Sequence, residues 1–182
     1  MSVLGVDRLL ELVRTQKLVE NLSERELANP EGAGFDIRAG EFFTVEGDSF
    51  LGVTERRTPE AKSVAKHGTH ASFTVSPGDF VLVKTMESFN VPDDLTMHTF
   101  PRSTLHRAGL ALIATQTAPG YSGPLVFGLK NLGNCNYAIE LGARIAHVQF
   151  ATIEGEGSAY RGQWQGGRVS TQETTTGMEK QV

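Results

Sequence analysis

Two guanidiniums and two hydroxyls fall close together in Arg102-Ser103-Thr104-Leu105-His106-Arg107. Arginine forks beside hydroxyls form the array of fixed donors that a polyphosphate needs. The same residues suit a blander role, a Ser-Thr pair capping a helix with the arginines left in water. Asp36 interrupts the apolar run Phe35-Asp36-Ile37, and a carboxylate buried there must be paired. Arg38 lies on the same face at period two; a structural Asp serving nearby backbone N–H groups is the other reading. Further on, Tyr160-Arg161-Gly162-Gln163-Trp164-Gln165-Gly166-Gly167-Arg168 mixes aromatics, two arginines and glycines. Such a segment can fold over a base and its phosphates, or pack as a tail on a neighbouring subunit. His67 and His70 have no third ligand near them in sequence, and His98, His106 and His147 complete no metal signature. Cys135 sits between asparagines, with nothing in sequence to activate it. No Gly-x-Ser-x-Gly elbow, Walker loop or dinucleotide fingerprint occurs.

These residues need a scaffold. A chain of 182 residues fits one domain. Its 20 glycines and 7 prolines favour a turn-rich β protein over a helical bundle. Val6, Leu9, Leu10 and Val13 have helical spacing, with Asp7 near the N-cap, so one short N-terminal helix is expected. Strands are expected at Phe35–Arg38, Glu41–Val45, Leu95–Phe100, Leu110–Thr115, Leu125–Leu129, Asn136–Leu141 and Ile145–Thr152. Ser72–Val75 and Phe80–Thr85, joined by Ser76-Pro77-Gly78-Asp79, read as a β-hairpin. The polar stretch from Arg56 to His70 reads as an exposed loop. Many short strands between Gly and Pro punctuation predict a barrel or jelly roll over residues 1–154. Residues 155–182 read as an extended arm and polar tail. The net charge of −4 argues against a non-specific nucleic-acid binder, and a single Cys excludes an internal disulfide framework. No apolar run reaches the ~18 residues of a membrane span, and no signal peptide is read at the start, so a cytoplasmic protein is expected.

Taken together, six segments resemble the dCTP deaminase and dUTPase superfamily, closest to the dCTP deaminases and the bifunctional deaminase–diphosphatases. Asp36-Ile37-Arg38-Ala39-Gly40 resembles the family's Asp-x-Arg-x-Gly strand. Thr85 to Leu95 resembles the stretch leading into the central motif. Arg102-Ser103-Thr104-Leu105-His106-Arg107-Ala108-Gly109-Leu110 is similar to Arg-Ser-Ser-x-x-Arg-x-Gly-Leu, with Thr for the second Ser. Pro119-Gly120-Tyr121-Ser122-Gly123 resembles the Pro-Gly-aromatic-x-Gly turn, and Gly142 to Phe150 the last core strand. Tyr160 to Gln165 is similar to the Tyr-x-Gly-Lys-Tyr-Gln arm. The resemblance implies a mainly β protein, a distorted jelly-roll β-barrel of the dUTPase type with a short N-terminal helix and a C-terminal arm. It also implies a homotrimer with nucleotide sites between subunits. Arg102, Ser103 and Thr104 would hold the triphosphate, with Arg107 reaching in from a neighbouring subunit. The backbone around Ala114 would recognise the pyrimidine. Gln149 and the arm, with Tyr160, Gln163 and Gln165, would close over the nucleotide. Magnesium would ride on the phosphates rather than on protein side chains.

The resemblance departs at two positions. The deaminases use a Glu in the strand after the Pro-Gly turn, and the aligned residue is Gly128. The diphosphatases use an Asp three residues before the turn's aromatic, and that place is Ala118. A positioned general acid–base group contributes about 10²–10⁴-fold. Thr117, Gln116 and His106 are the candidate substitutes, and only His106 titrates near neutral pH. Three readings stand. One is a hydrolase of pyrimidine deoxynucleoside triphosphates, deaminating dCTP or releasing pyrophosphate from dUTP. Another is a catalytically silent nucleotide-binding trimer. The third is an enzyme for a modified pyrimidine, admitted by extra room at Gly128.

Overall fold

The computed structural model describes residues 2–171 and 177–180. Helix α1 (Val6–Gln16) buries Leu9 and Leu12; its N-cap is Gly5, and Asp7 lies in the first turn, where a negative charge suits the helix dipole. A second helix, α2 (Glu24–Ala28), was not expected. Ser23 caps it, its Oγ accepting the Glu26 N–H at 3.4 Å. Its sequence signal was a Ser-x-x-Glu capping box.

The strands are β1 (Val19–Glu20), β2 (Phe35–Glu46), β3 (Phe50–Leu51), β4 (Glu55–Arg57), β5 (Glu60–Lys66), β6 (Ser72–Val75), β7 (Phe80–Asn90), β8 (Leu95–Pro101), β9 (Leu110–Ile113), β10 (Ser122–Asn131), β11 (Tyr137–Glu140), β12 (Arg144–Thr152) and β13 (Glu179–Lys180). Helix α3 (Ser103–Arg107) links β8 to β9. The main sheet runs β8-β12-β2-β7-β10-β9, with β1 added on β7 and β5 on β2. Its ends meet: Met97 of β8 and Thr117, just past β9, exchange backbone hydrogen bonds of 3.1 and 2.9 Å. The result is the mainly β, barrel-like wall expected from the turn spacing. Strict alternation along β7 sends Val81, Val83, Thr85, Glu87 and Phe89 inward and leaves Phe80, Leu82 and Lys84 on the outer face. Phe35, Ile37, Phe42, Phe89, Met97, Val148 and Phe150 fill the core, all essentially inaccessible to water.

Two expectations are corrected. The turn Ser76–Asp79 forms, with Asp79 N–H donating to Ser76 O at 3.0 Å, but β6 and β7 do not pair. β6 pairs with β11, while β7 lies between β2 and β10. Asn131 parts them: its side-chain amide donates to Val75 O at 2.8 Å. Turn chemistry fixes a chain reversal and leaves the pairing partner open. Most of the polar stretch 56–70 is strand rather than loop, because β5 pairs with β2 along Glu46↔Glu60 to Glu41↔Lys66, and only residues 67–70 make a turn. Only Ala65 in β5 is fully buried, so this edge strand carries little apolar alternation to read.

Beyond β12 the chain turns back on the barrel. A 3₁₀ turn at Gln165–Gly167 packs on β10, and β13 pairs with β4 to make a small sheet with β3. Ser170 and Thr171 are buried there rather than standing in an extended polar tail. The rest of the expected tail, residues 172–176 and 181–182, lies outside the described residues. Among the described residues, no helix is long and apolar enough to cross a membrane.

Candidate functional site

A cavity of about 410 Å³ opens between the outer face of the sheet and the returning arm. Its floor follows from strand register. Val126 lies opposite Lys84 and Gly128 opposite Leu82, so β7 and β10 present Phe80, Leu82 and Val126 on one side. Thr115, Gln116, Thr117 and Ala118 form one wall, and Tyr121, Tyr160, Trp164, Gly167 and Arg168 another. Gln116 is held there by its side-chain amide, which donates to Thr96 Oγ1 at 2.6 Å.

The arm is fastened by specific contacts. Tyr160 N–H donates to Pro119 O at 2.7 Å, and the Tyr121 and Tyr160 rings meet edge to face at 5.4 Å. Gln165 grips the Pro-Gly turn from both sides. Its Nε2 donates to Gly120 O at 3.1 Å and its Oε1 accepts Ser122 N–H at 3.3 Å. Gly123, at φ 130°, lets the arm come this close, since a Cβ there would fall 2.6 Å from Gly166 Cα. Further along, Thr58 and Thr171 exchange backbone-to-hydroxyl hydrogen bonds of 2.9 Å each, Ser170 Oγ donates to Pro59 O at 2.7 Å, and Arg168 pairs with Glu179 at 2.6 Å.

Among the described residues lining the cavity, none carries a carboxylate, imidazole or thiol. Tyr121 is no proton carrier near neutrality. Burial raises its phenol to about 12, and its hydroxyl is spent donating to Pro124 O at 2.6 Å. Ala118 faces the cavity as a bare methyl. Gly128 is covered: a Cβ there would meet the Phe80 ring at 2.9 Å and Ile113 Cβ at 3.3 Å. The room expected at Gly128 is therefore taken by Phe80 rather than left open. Of the three substitute groups, Gln116 and Thr117 line the cavity, whereas His106 stands exposed on α3.

A second cluster centres on Asp36, which is 3% exposed. Its carboxylate receives Arg102 at short range, Arg144 Nη1 at 2.7 Å and His147 Nδ1 at 3.1 Å, with Arg25 at 3.8 Å. The buried Glu26 accepts the Asp36 N–H at 3.0 Å. The expected partner Arg38 goes elsewhere, donating to the fully buried Glu87 at 2.6 Å, and cations rather than backbone N–H groups satisfy Asp36. Burial, then the Arg144 charge beside it, lowers the Arg102 guanidinium from its usual range. Burial pushes the His147 imidazole down, aided by Arg102 and opposed by Glu26, so at neutral pH a neutral ring donates from Nδ1. Burial raises the Glu87 carboxyl, against the pull of Arg38.

The fold thus separates the candidate residues. Ala118 and Tyr160 line the cavity, Ala114 precedes its wall, and Gln165 holds its rim. Gln163 offers its carbonyl to Arg168 at 3.4 Å, and its side-chain amide nitrogen is buried with no partner among the described residues. Arg102 belongs to the Asp36 cluster, while Ser103, Thr104 and Arg107 are exposed with His106 on α3. Gln149 lies on β12 opposite His98 of β8. None of Arg102, Ser103, Thr104, Arg107 or Gln149 lines this cavity within one chain. Phe80, Leu82, Val45 and Thr58 were missed. Alternation along β7 was a legible signal for the first two, but nothing local placed Thr58 against the arm.

The family model described as dCTP deaminase-like matches residues 3–153. The chain belongs to the dCTP deaminase-like family. It is 31% identical over 160 residues to a dCTP deaminase of Natronomonas pharaonis, covering 80% of this chain and 82% of that protein. A dCTP deaminase of Thermococcus kodakarensis is 30% identical over 157 residues, covering 86% and 90%. Among solved structures, the 2′-deoxycytidine 5′-triphosphate deaminase of Agrobacterium tumefaciens superposes with a TM-score of 0.64 at 17% identity. That match covers 83% of this chain and 48% of the Agrobacterium chain, and at this identity it speaks to the fold. Within this fold, Ala118 lines the cavity beside the Pro-Gly turn, and Gly128 lies outside its lining, beneath the Phe80 ring.

Proposed function

We propose that this dCTP deaminase-like chain binds a pyrimidine deoxynucleoside triphosphate in the cavity beneath its arm and lacks the family's deamination chemistry there. One observation carries this reading: a cavity walled by aromatic and amide groups shows no carboxylate, with the methyl of Ala118 in its wall and Gly128 closed off behind Phe80 where the resemblance expects acids. An aromatic wall from Tyr121, Tyr160 and Trp164 suits a flat base, and Gln116 with the backbone of residues 115–118 supplies donors and acceptors for its edge. Magnesium enters with the nucleotide, because Mg²⁺ takes phosphate and water oxygens in preference to an all-protein cage. In this reading the molecule is a homotrimer whose sites lie between subunits, and residues 155–182 act as the closing arm of the 1–154 barrel.

The competing reading is hydrolysis assisted by a group from another subunit. It is favoured by the exposure of His106, Ser103, Thr104 and Arg107 together on α3, where a neighbouring chain can meet them. Incubation with dCTP and with dUTP in Mg²⁺, followed by ion-exchange chromatography, separates the two. The binding reading expects both nucleotides unchanged and a melting temperature raised by at least one of them. Formation of a uracil nucleotide or of pyrophosphate sinks it, and loss of that turnover in His106→Gln then assigns the proton carrier.

A further inference from the structure

A second cavity of about 510 Å³ adjoins the first and shares Ala118, Tyr160 and Trp164 with it. Its remaining wall differs in character: Arg56, Arg161, Ser158 and Gly162 bring two guanidiniums, a hydroxyl and a backbone N–H, and no carboxylate lines it. Neither guanidinium has an ion pair or a side-chain hydrogen bond among the described residues, and Arg56 Nε is buried without a partner. The acid nearest to hand is already engaged, since Glu179 lies across the β4–β13 ladder from Arg56 but holds Arg168 at 2.6 Å. By contrast, Arg102 is neutralised by Asp36. A buried guanidinium nitrogen such as Arg56 Nε, with nothing to donate to, is costly unless an acceptor completes it, and the exposed Arg161 adds a second positive charge on the same cavity wall.

We infer that Arg56 and Arg161 form a phosphate-binding annex, in one chain, for the nucleotide whose base occupies the aromatic cavity. Ala118, Tyr160 and Trp164 line both cavities, so the two adjoin closely enough for one nucleotide to span them, base in the first and phosphates in the second. Arg56 is held in place by the pairing of β4 with β13 and β3, with Thr171 clasped to Thr58 two residues on. The arm thus supplies one arginine itself and fixes the other. This inference rests on the pyrimidine-nucleotide reading above for the identity of the base, though not for the anion.

Calorimetric titration of the full-length protein with dCTP, dUTP, deoxycytidine and inorganic tripolyphosphate tests it, using Arg56→Gln and Arg161→Gln with their melting temperatures as fold checks. Each variant is expected to lose about 10- to 100-fold in affinity for a triphosphate and for tripolyphosphate, with deoxycytidine unchanged. Arg161→Lys, which keeps a charge, is expected to lose less. Triphosphate affinity retained in both Gln variants overturns the annex and leaves the pyrimidine reading standing. Tripolyphosphate binding that needs both arginines, with no gain from a base, keeps the annex and overturns the pyrimidine reading. Absence of binding by the unmodified protein to tripolyphosphate and to both nucleotides overturns both.

Discussion

In the binding reading proposed above, two small residues stand for the chemistry this site lacks. Ala118 and Gly128 were visible in the sequence at the places where the resemblance expects acids, but what covers Gly128 was not. Phe80 lies on the adjacent strand, opposite Lys130 and two residues along from the partner of Gly128, and its ring lies over Gly128. Restoring the acid alone therefore forces a side chain into an occupied place. Gly128→Glu is expected to lower stability by about 1–3 kcal/mol, the usual range for overpacking. Because Phe80 is 39% exposed, the ring can be removed at modest cost. The double variant Phe80→Ala/Gly128→Glu should then be more stable in urea than the sum of the single changes predicts. Strict additivity of the unfolding free energies would remove Phe80 as the obstacle.

At the scale of elements, the arm is held by a few polar contacts over a cavity rather than by a continuous core. The reciprocal Thr58–Thr171 hydrogen bonds and the Gln165 grip on the Pro-Gly turn are its principal fasteners. Trp164 is the only tryptophan in the chain and lines both cavities, so its fluorescence reports on the arm directly. Thr58→Val removes a hydroxyl that both donates and accepts, leaving the Thr171 N–H without its partner. A loss of about 1–3 kcal/mol in the fastening of the arm follows, and acrylamide should quench Trp164 more efficiently in the variant than in the parent. Unchanged quenching would show that the arm is held elsewhere. The motif Tyr160 to Gln165 was legible as a segment able to cover a site. Its seating was not, because Thr58 and Arg56 lie about a hundred residues away in sequence and in a stretch whose polarity concealed two strands.

Across the whole molecule, the Asp36 cluster ties β2, the β8–α3 junction, β12 and α2 at one buried carboxylate. Removing it as Asp36→Ala strands two partly buried guanidiniums, at a cost of about 3–5 kcal/mol for breaking a buried pair, less the relief their partial exposure gives. Chemical denaturation measures it, and a loss below about 1 kcal/mol would mean that water satisfies Arg102 and Arg144. His147 makes the same cluster sensitive to pH. Its imidazole is held below the ordinary value of 6.5 in the folded chain. On acidification through that ordinary value the unfolded chain takes up a proton that the folded chain refuses. Stability must therefore fall as pH drops below about 6.5 and level off below the folded value. His147→Asn keeps a donor without a titrating ring. The stability lost between pH 8 and pH 5.5 should be smaller in that variant than in the parent; equal losses would place the pH dependence on other groups.

What the sequence determined by itself was local and periodic. Alternation and Gly-Pro punctuation fixed a mainly β barrel, and six short motifs in order fixed the family, because strand periodicity and turn chemistry are written in neighbouring residues. Ala118 and Gly128 could likewise be read as absences at known spacings. Tertiary structure decided the rest. It moved β6 away from β7, made strands of residues 55–57 and 60–66, gave Asp36 its partners from the start of α3 and from β12, and set Phe80 over Gly128. Each of these joins residues distant in sequence, and pairing of that kind is chosen by which surfaces the closed barrel buries together. No local pattern records that choice.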